Sequence, residues 1–161
     1  MKINNFDLIT FDLENKEHLT LLEKIIKSNG SELISGDIKR FVERNIELNK
    51  KDNITNCYII ENNNSFIGLA FLNYHPEEKR DEKILSEEIE IGLGILPEFR
   101  GKHLGSQFEK EFSEYLLNKY PQFNEVVARI DNNNLKSINA VKKAGFEHIE
   151  GEEYHFKRFQ K

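Results

Sequence analysis

The segment Glu88–Phe108, EIEIGLGILPEFRGKHLGSQF, decides how this chain is expected to fold. Its first half alternates charged and apolar residues and then places Gly92 and Gly94 within the strand pattern. Glycine inside a strand usually marks a bulge or a close approach of another backbone. After Pro97, the basic loop Arg100–Ser106 leads into an amphipathic helical pattern. The segment therefore predicts a strand, a glycine-bearing loop and the start of a helix.

The start of a helix exposes unpaired N–H groups and the positive end of the helix dipole, so this loop suits a phosphate group. Two other phosphate motifs are excluded. A Walker A loop needs Ser or Thr after Gly-Lys, but His103 follows Lys102. A dinucleotide fingerprint starting at Gly92 would need a glycine where Pro97 stands. On this segment alone, a basic helix cap without a ligand remains open.

Hydrophobic periodicity on both sides of the segment predicts the element order β-α-α-β-β-β-α-β-α-β-β. This is a mixed α/β fold, and the 161 residues suit a single domain over 1–161. The linker 75–83 is expected to be a charged loop. The predicted strands are 6–11, a hairpin over 56–74, 84–96, 124–130, 146–151 and 152–159, and the predicted helices are 16–28, 37–50, 102–119 and 132–145.

Composition narrows the function classes. The net charge of −5 disfavours nucleic acid and anionic membranes as main partners, because both require a basic footprint. No apolar run reaches the length of a signal peptide or the roughly 20 residues of a membrane span. Cys57 is the only cysteine, so no intrachain disulfide can form, and a reduced cytoplasmic setting is expected. No metal-ligand set is predicted.

A second informative segment is Asp131–Phe146, DNNNLKSINAVKKAGF. Asn and Asp at its start and Gly145 near its end predict a well-capped helix. Its apolar positions Leu135, Ile138 and Val141 are expected to face inward.

Taken together, the two segments resemble the GNAT superfamily of N-acetyltransferases, strongly over residues 85–150 and by element order elsewhere. The first family signature has the form Arg/Gln-x-x-Gly-x-Gly/Ala and reads here Arg100-Gly101-Lys102-His103-Leu104-Gly105. The second signature reads Asn134-Leu135-Lys136-Ser137 and then Lys143-Ala144-Gly145-Phe146. Its Asn-x-x-Ser form looks most like the branch that acetylates ribosomal-protein N-termini, antibiotics or polyamines.

The resemblance implies acetyl-coenzyme A as the cofactor. It places the pyrophosphate on the backbone of Arg100–Ser106 and implies further contacts from Asn134 and Ser137. It also implies that strand 84–96 splays from strand 124–130 and offers its backbone to the pantetheine arm. The residues implied for the arm are Leu93, Gly94 and Ile95, and those for the pyrophosphate are Arg100, Gly101, Lys102, His103, Leu104, Gly105 and Ser106.

The sequence departs from the family pattern at two positions. His103 stands at the first glycine of the loop signature, which is expected to be tolerated if its φ is negative. Many relatives carry a Tyr four residues before the Gly-Phe pair as general acid, and Val141 stands there. Ser137 is then the nearest candidate acid.

The implied reaction is direct transfer to a primary amine without an acyl-enzyme, with a base that takes a proton from the amine. The backbone near Ile95 is expected to stabilise the oxyanion. The resemblance implies that a carboxylate on strand 84–96 serves as the base, with Glu90 preferred and Glu88 next. A carboxylate half-buried in the cleft is expected to have a raised pKa, which suits a base. A solvated strand face remains the alternative for both residues. Cys57 is expected to be a buried core residue and not a nucleophile.

The acceptor amine stays open between a small amine, an antibiotic, a polyamine and a protein N-terminus. Tyr74, His75 and Glu88 are expected on the acceptor side, and His75 is a further candidate base. Tyr154, His148 and His155 are expected mainly to pack or to lie at the surface, and Arg129 is expected near the second signature. Two alternatives are a non-catalytic acetyl-CoA sensor of the same fold and an interaction domain that binds no CoA. A homodimer through the exposed last strand, 152–159, is also considered.

Overall fold

The computed structural model describes residues 1–28 and 35–158. The chain forms two compact units, Met1–Leu72 with Leu93–Lys102, and Asn73–Gly92 with His103–Lys161. No helix in the described ranges is both long and apolar enough to cross a membrane. The expectation of a single domain over 1–161 stays a prediction.

The first unit combines an antiparallel sheet with two helices. Neighbouring strands follow the order β1-β2-β3-β4, and the end of strand β7 (Glu88–Ile95) lies next to β4. The hairpin predicted over 56–74 is confirmed, with Asn63 and Asn64 in the left-handed conformations that its tight turn requires. The elements of this unit are β1 (Lys2–Ile3), β2 (Phe6–Thr10), α1 (Lys16–Ser28), α2 (Ser35–Asp52), β3 (Asn56–Asn62) and β4 (Ser65–His75) as far as Leu72.

The core of the first unit lies between its helices and its sheet. Both helices were predicted from their apolar spacing and are confirmed. Asn29 and Gly30 of the expected helix end, and the side chain of Ile38, lie outside the part of the chain that the structure describes. Cys57 is fully buried in this core, as expected. The buried cluster consists of Phe11, Leu21, Leu22, Ile25, Val42, Cys57, Ile59, Leu69 and Leu96.

The second unit carries the later strand–helix units. Its strand order is β7-β8-β10-β9, in which β7 pairs with β8 in parallel and the other pairs are antiparallel. A two-stranded hairpin of β5 and β6 precedes β7. The elements are β5 (Glu78–Arg80), β6 (Lys83–Leu85), β7 as far as Gly92, α3 (Leu104–Lys119), β8 (Glu125–Arg129), α4 (Leu135–Ala144), β9 (Glu147–Glu150) and β10 (Glu153–Lys157).

The parallel pairing of β7 with β8 is short. It joins Ile89 to Val126 and Glu90 to Val127, close to the start of β7. Strand β7 continues to Ile95, so its second half runs on beyond this pairing.

Helix α4 has the predicted caps but not the whole predicted apolar face. The Asn134 Oδ1 accepts a hydrogen bond from the Ser137 N–H at 3.2 Å, and Gly145 ends the helix with φ of 107°. Ile138 and Val141 are buried, whereas Leu135 is 66% exposed. The inward placement of Leu135 is wrong because the residue stands in the first turn, ahead of the part of the helix that is covered.

Two further expectations are corrected. The stretch 75–83 is not a simple loop, because left-handed Asp81 and Glu82 turn the chain into the β5–β6 hairpin, and the long strand begins at Glu88. The last strand is not an exposed edge. After the turn at Gly151, strand β10 lies between β8 and β9 and pairs with both. The backbone of β10 is therefore unavailable for pairing in a dimer.

Candidate active site

Gly94 of β7 lies where two backbones approach closely. A Cβ built on Gly68 of β4 would overlap the carbonyl oxygen of Gly94, and one built on Gly94 would lie 3.1 Å from Ile25 Cγ2. The close approach predicted from the glycine pattern is thus confirmed at Gly94. Leu93 and Ile95, on either side of it, are only partly buried.

The strand end and the first part of the loop are tied together by Arg100. Its Nε donates to the carbonyl oxygen of Ile95 at 3.0 Å, and its Nη2 donates to Ser28 Oγ at 3.2 Å. Gly101 follows with φ of 76°, and Lys102 is exposed beside the ring of Phe99. This half of the signature therefore presents a basic, glycine-containing backbone.

The second part of the loop forms the start of α3. The first i→i−4 bond of the helix runs from Gln107 N to His103 O at 3.1 Å. Leu104, Gly105 and Ser106 precede it, so their N–H groups have no helical partner and can receive an anion. Ser106 Oγ turns back to donate to His103 O at 3.1 Å.

His103, which stands at a glycine position of the loop signature, has a left-handed backbone. Its φ is 61°, so the condition under which a side chain is tolerated there, a negative φ, is not met. The chain needs a left-handed residue there to turn into α3, and a side chain makes that conformation unfavourable by about 1–2 kcal/mol. The imidazole lies beside helix α4, where Lys143 Nζ contacts its Nδ1 at 2.6 Å.

The second signature provides a cap and a covered apolar position. Asn134 is exposed and its side-chain oxygen accepts from the Ser137 backbone, whereas Ser137 is partly buried. Val141 is 3% exposed. A hydrophobic side chain at that position cannot donate a proton, so Ser137 remains the candidate acid of this signature.

Charged side chains of β7, β8 and β10 share one face of the second unit. Glu88 and Glu90 alternate with the buried Ile89 and Ile91, as period-two spacing predicts. Arg129 contacts three carboxylates on this face. The distances are 2.7 Å from its Nη2 to Glu88 Oε1, 3.4 Å from its Nη1 to Glu90 Oε2 and 3.6 Å from its Nη2 to Glu153 Oε2.

The pKa of Glu90 differs from the expected direction. Burial favours the neutral acid, but the hydrogen bond to His75 and the positive charge of Arg129 outweigh burial. The pKa of Glu90 is therefore lowered, and the expectation of a raised value is wrong. The sequence identified the burial but not the two cationic partners.

Of the two predicted acceptor-side residues on β4, His75 contacts this face, whereas the ring of Tyr74 packs against that of Phe123. His75 Nε2 lies 2.9 Å from Glu90 Oε1, and the hydrogen bond to Glu90 raises the pKa of His75 above its ordinary value. Tyr74 donates its hydroxyl to Glu87 Oε2 at 2.7 Å. Sequence reasoning did not single out Glu87 or identify its partner, because Tyr74 lies on β4 and Glu87 lies between β6 and β7.

The remaining candidates have packing or surface roles. His155 contacts Glu125 and Glu153 at 2.6 Å each, whereas His148 Nε2 lies 2.8 Å from the carbonyl oxygen of Gly151. Tyr154 is buried against the ring of His148. Sequence reasoning also missed Glu153, whose only signal was its alternation with buried residues along β10.

The family model for the acetyltransferase (GNAT) domain matches residues 11–147. The chain therefore belongs to the GNAT acetyltransferase family, and the identification made from the two signatures is confirmed. No curated protein has a matching sequence.

Solved structures share the fold at low identity. An acetyltransferase from Salmonella typhimurium, described as modifying the N-terminal serine of ribosomal protein L7/L12, is 15% identical with a TM-score of 0.68, and the match covers 97% of this chain and 96% of that one. Aminoglycoside acetyltransferase AAC(6')-Ib in complex with coenzyme A is 20% identical, with coverages of 96% and 94% and a TM-score of 0.67. The Campylobacter jejuni N-acetyltransferase PseH in complex with acetyl coenzyme A is 16% identical, with coverages of 96% and 99% and a TM-score of 0.63. The mixed α/β fold predicted from the sequence is thereby confirmed.

Proposed function

We propose that this protein transfers the acetyl group of acetyl-CoA to a primary amine by direct, base-assisted attack. The observation that carries the proposal is the continuous segment Leu93–Ser106, which joins a glycine-bearing strand to a basic loop and to helix amides without helical partners. It lies within the region that matches the family.

The residues present fit such a cofactor. The N–H groups of Leu104, Gly105 and Ser106 at the start of α3 would hold the pyrophosphate, together with the backbone from Arg100 to His103. Leu93, Gly94 and Ile95 would hold the pantetheine arm, with Asn134 and Ser137 contributing at the second signature. Bound acetyl-CoA supplies an acetyl group activated as a thioester.

An ammonium group must lose a proton before its nitrogen can attack. Over the whole reaction the nitrogen gains the acetyl group, the sulfur leaves as a thiol carrying one proton, and one proton reaches solvent. Glu88, Glu90 and His75 form the titratable set that can take the proton from the amine. Neighbours that act on a protein N-terminus or an aminoglycoside support testing both classes of amine.

Calorimetric titration with acetyl-CoA, desulfo-CoA and ATP tests the cofactor assignment. We expect saturable binding of both CoA forms and weak binding of ATP. Gly105→Val should abolish CoA binding because its side chain would block the helix amides, whereas Lys110→Val, on an exposed position of the same helix, should leave it intact. The melting temperatures of both variants check that they are folded.

Thiol release with a panel of a polyamine, an aminoglycoside and an N-terminal peptide then tests turnover. Release with any member supports the transferase. Tight binding of CoA without release on a broad amine panel would favour the non-catalytic sensor. Failure to bind any form of CoA would overturn the proposal.

A further inference from the structure

A chain of hydrogen-bonding and charged groups crosses β4, β7 and β8 within the second unit. His75 on β4 contacts Glu90 on β7 at 2.9 Å, and Glu90 contacts Arg129 on β8 at 3.4 Å through its other carboxylate oxygen. Each oxygen of Glu90 thus has its own cationic or donor partner. The side chain of His75 is 47% exposed, whereas that of Glu90 is 19% exposed.

We propose that His75 takes the proton from the acceptor amine, and that Glu90 and Arg129 are positioning residues for His75. This inference rests on the proposed function and differs from the sequence-based expectation that Glu90 itself is the base. Glu90 fixes the orientation of the imidazole through Nε2. Arg129 fixes Glu90 and is itself held by Glu88 at 2.7 Å.

The exposures decide which group an amine can reach. Both oxygens of Glu90 are engaged by His75 and Arg129, and most of its side chain is covered. The imidazole of His75 is the more accessible end of the chain of contacts. An acceptor approaching this face from solvent therefore meets His75 before Glu90.

The hydrogen bond also determines which ring nitrogen can act. An ionised carboxylate only accepts hydrogen bonds, so neutral His75 must carry its proton on Nε2 and donate it to Glu90. The lone pair then lies on Nδ1. In the step proposed here, one proton moves from the ammonium nitrogen to Nδ1, and the electrons of the broken N–H bond stay on the amine nitrogen.

The charges around the two groups agree with this assignment. The hydrogen bond to Glu90 raises the pKa of His75, with further support from the charge of Glu88, against burial and the opposing charge of Arg129. Glu90 has a lowered pKa and is a weak proton acceptor. A base is most effective when its pKa lies near the working pH, which favours the histidine.

NMR titration of the imidazole tests whether Glu90 and Arg129 position His75, and it does not depend on turnover. The chain has five histidines, and the His75 signals are assigned by their loss in His75→Gln. The titration midpoint of His75 should fall in Glu90→Gln, which removes the negative partner, and should rise in Arg129→Met, which removes an opposing positive charge. His148→Gln is the control, because His148 contacts only the Gly151 carbonyl among its described hydrogen bonds.

The pH dependence of kcat/KM tests the base itself. The wild-type profile should rise with pH through the His75 midpoint, and in Glu90→Gln the profile should shift to lower pH together with that midpoint. His75→Gln should lose about 10²–10⁴-fold in kcat/KM with the pH dependence flattened. Calorimetric affinity for acetyl-CoA should be unchanged in His75→Gln, and His148→Gln should behave as wild type.

The outcomes separate this inference from the proposed function. A wild-type protein that binds no CoA and acetylates no amine removes both. An active wild type with an equally active His75→Gln overturns the inference alone, as does a Glu90→Gln variant that is inactive at every pH while His75 keeps its midpoint. Opposite midpoint shifts in Glu90→Gln and Arg129→Met, with loss of activity in His75→Gln, support it.

Discussion

The backbones of Gly68 and Gly94 touch within the first unit, with no room for a side chain on Gly68. A Cβ at Gly68 would overlap the carbonyl oxygen of Gly94 and lie 3.1 Å from the Cα of Ile95. Because Gly94 and Ile95 are implied in cofactor binding, this contact links the packing of the sheet to the geometry of the proposed site. Glycine at position 68 of β4 is therefore required for β7 to pass at this distance.

Gly68→Ala should destabilise the protein by about 1–3 kcal/mol, because overpacking moves a backbone rather than a flexible side chain. Urea unfolding monitored by circular dichroism measures the loss. The matched control is Gly151→Ala, where a Cβ has nothing within 4 Å but φ is 51°. That control should cost about 1 kcal/mol from its left-handed backbone alone. A Gly68→Ala loss no larger than that of the control would contradict the close approach.

Strain at His103 can be measured by comparing two substitutions. His103→Gly and His103→Ala both remove the imidazole and its contact with Lys143, but only glycine accepts φ of 61° without strain. The glycine variant should be the more stable by about 1 kcal/mol in urea unfolding. Equal stabilities, or a more stable alanine variant, would show that the loop is not strained. Lys143→Met reports separately on the loss of the side-chain contact.

Much of the fold follows from local patterns in the sequence. Helix α1 occupies the predicted 16–28 because its apolar residues recur at helical spacing. Helix α4 lies within the predicted 132–145, with an Asn cap at its start and the predicted Gly145 at its end, because cap chemistry is local. The β3–β4 hairpin was predictable for the same reason, because the turn residues 61–65, ENNNS, stand between two strand patterns. These features depend on residues within one or two helical turns or within a single tight turn.

Two of the failed predictions depend on contacts between distant residues. The placement of β10 between β8 and β9 is a choice of strand partner, which periodicity does not encode. The lowered pKa of Glu90 depends on His75 and Arg129, which come from two other strands. The sequence located the carboxylate and its half-buried face, but a pKa is set by three-dimensional neighbours.

Cys57 should be unreactive in the folded protein. The residue is fully buried, and burial raises the pKa of its thiol to about 12, so thiolate is scarce at neutral pH. A chromogenic disulfide reagent should label the native protein only as fast as it unfolds, and should label one thiol in urea. Cys57→Ala should keep wild-type acetyl transfer. An acetylated Cys57 found by mass spectrometry after incubation with acetyl-CoA would contradict direct transfer.

The buried carboxyl of Glu109 should make stability depend on pH. Glu109 Oε2 and Ser113 Oγ, one turn apart on α3, are buried without a hydrogen-bond partner in the described part of the chain, and burial raises the pKa of Glu109 to about 8. Between its ordinary value of 4.5 and this value, the folded state holds a proton that the unfolded state has lost. The stabilising contribution of this group is therefore fully present below the unfolded pKa of 4.5, and it should decline as the pH rises towards 8.

Urea unfolding at pH 5 and pH 8.5 tests this expectation. Because Glu109→Gln removes the titrating group, the variant should lose less stability over this pH range than wild type, by about 1–3 kcal/mol. Glu114→Gln on the same helix is the control, and an unchanged pH dependence in Glu109→Gln would mean that Glu109 is ionised in the folded protein.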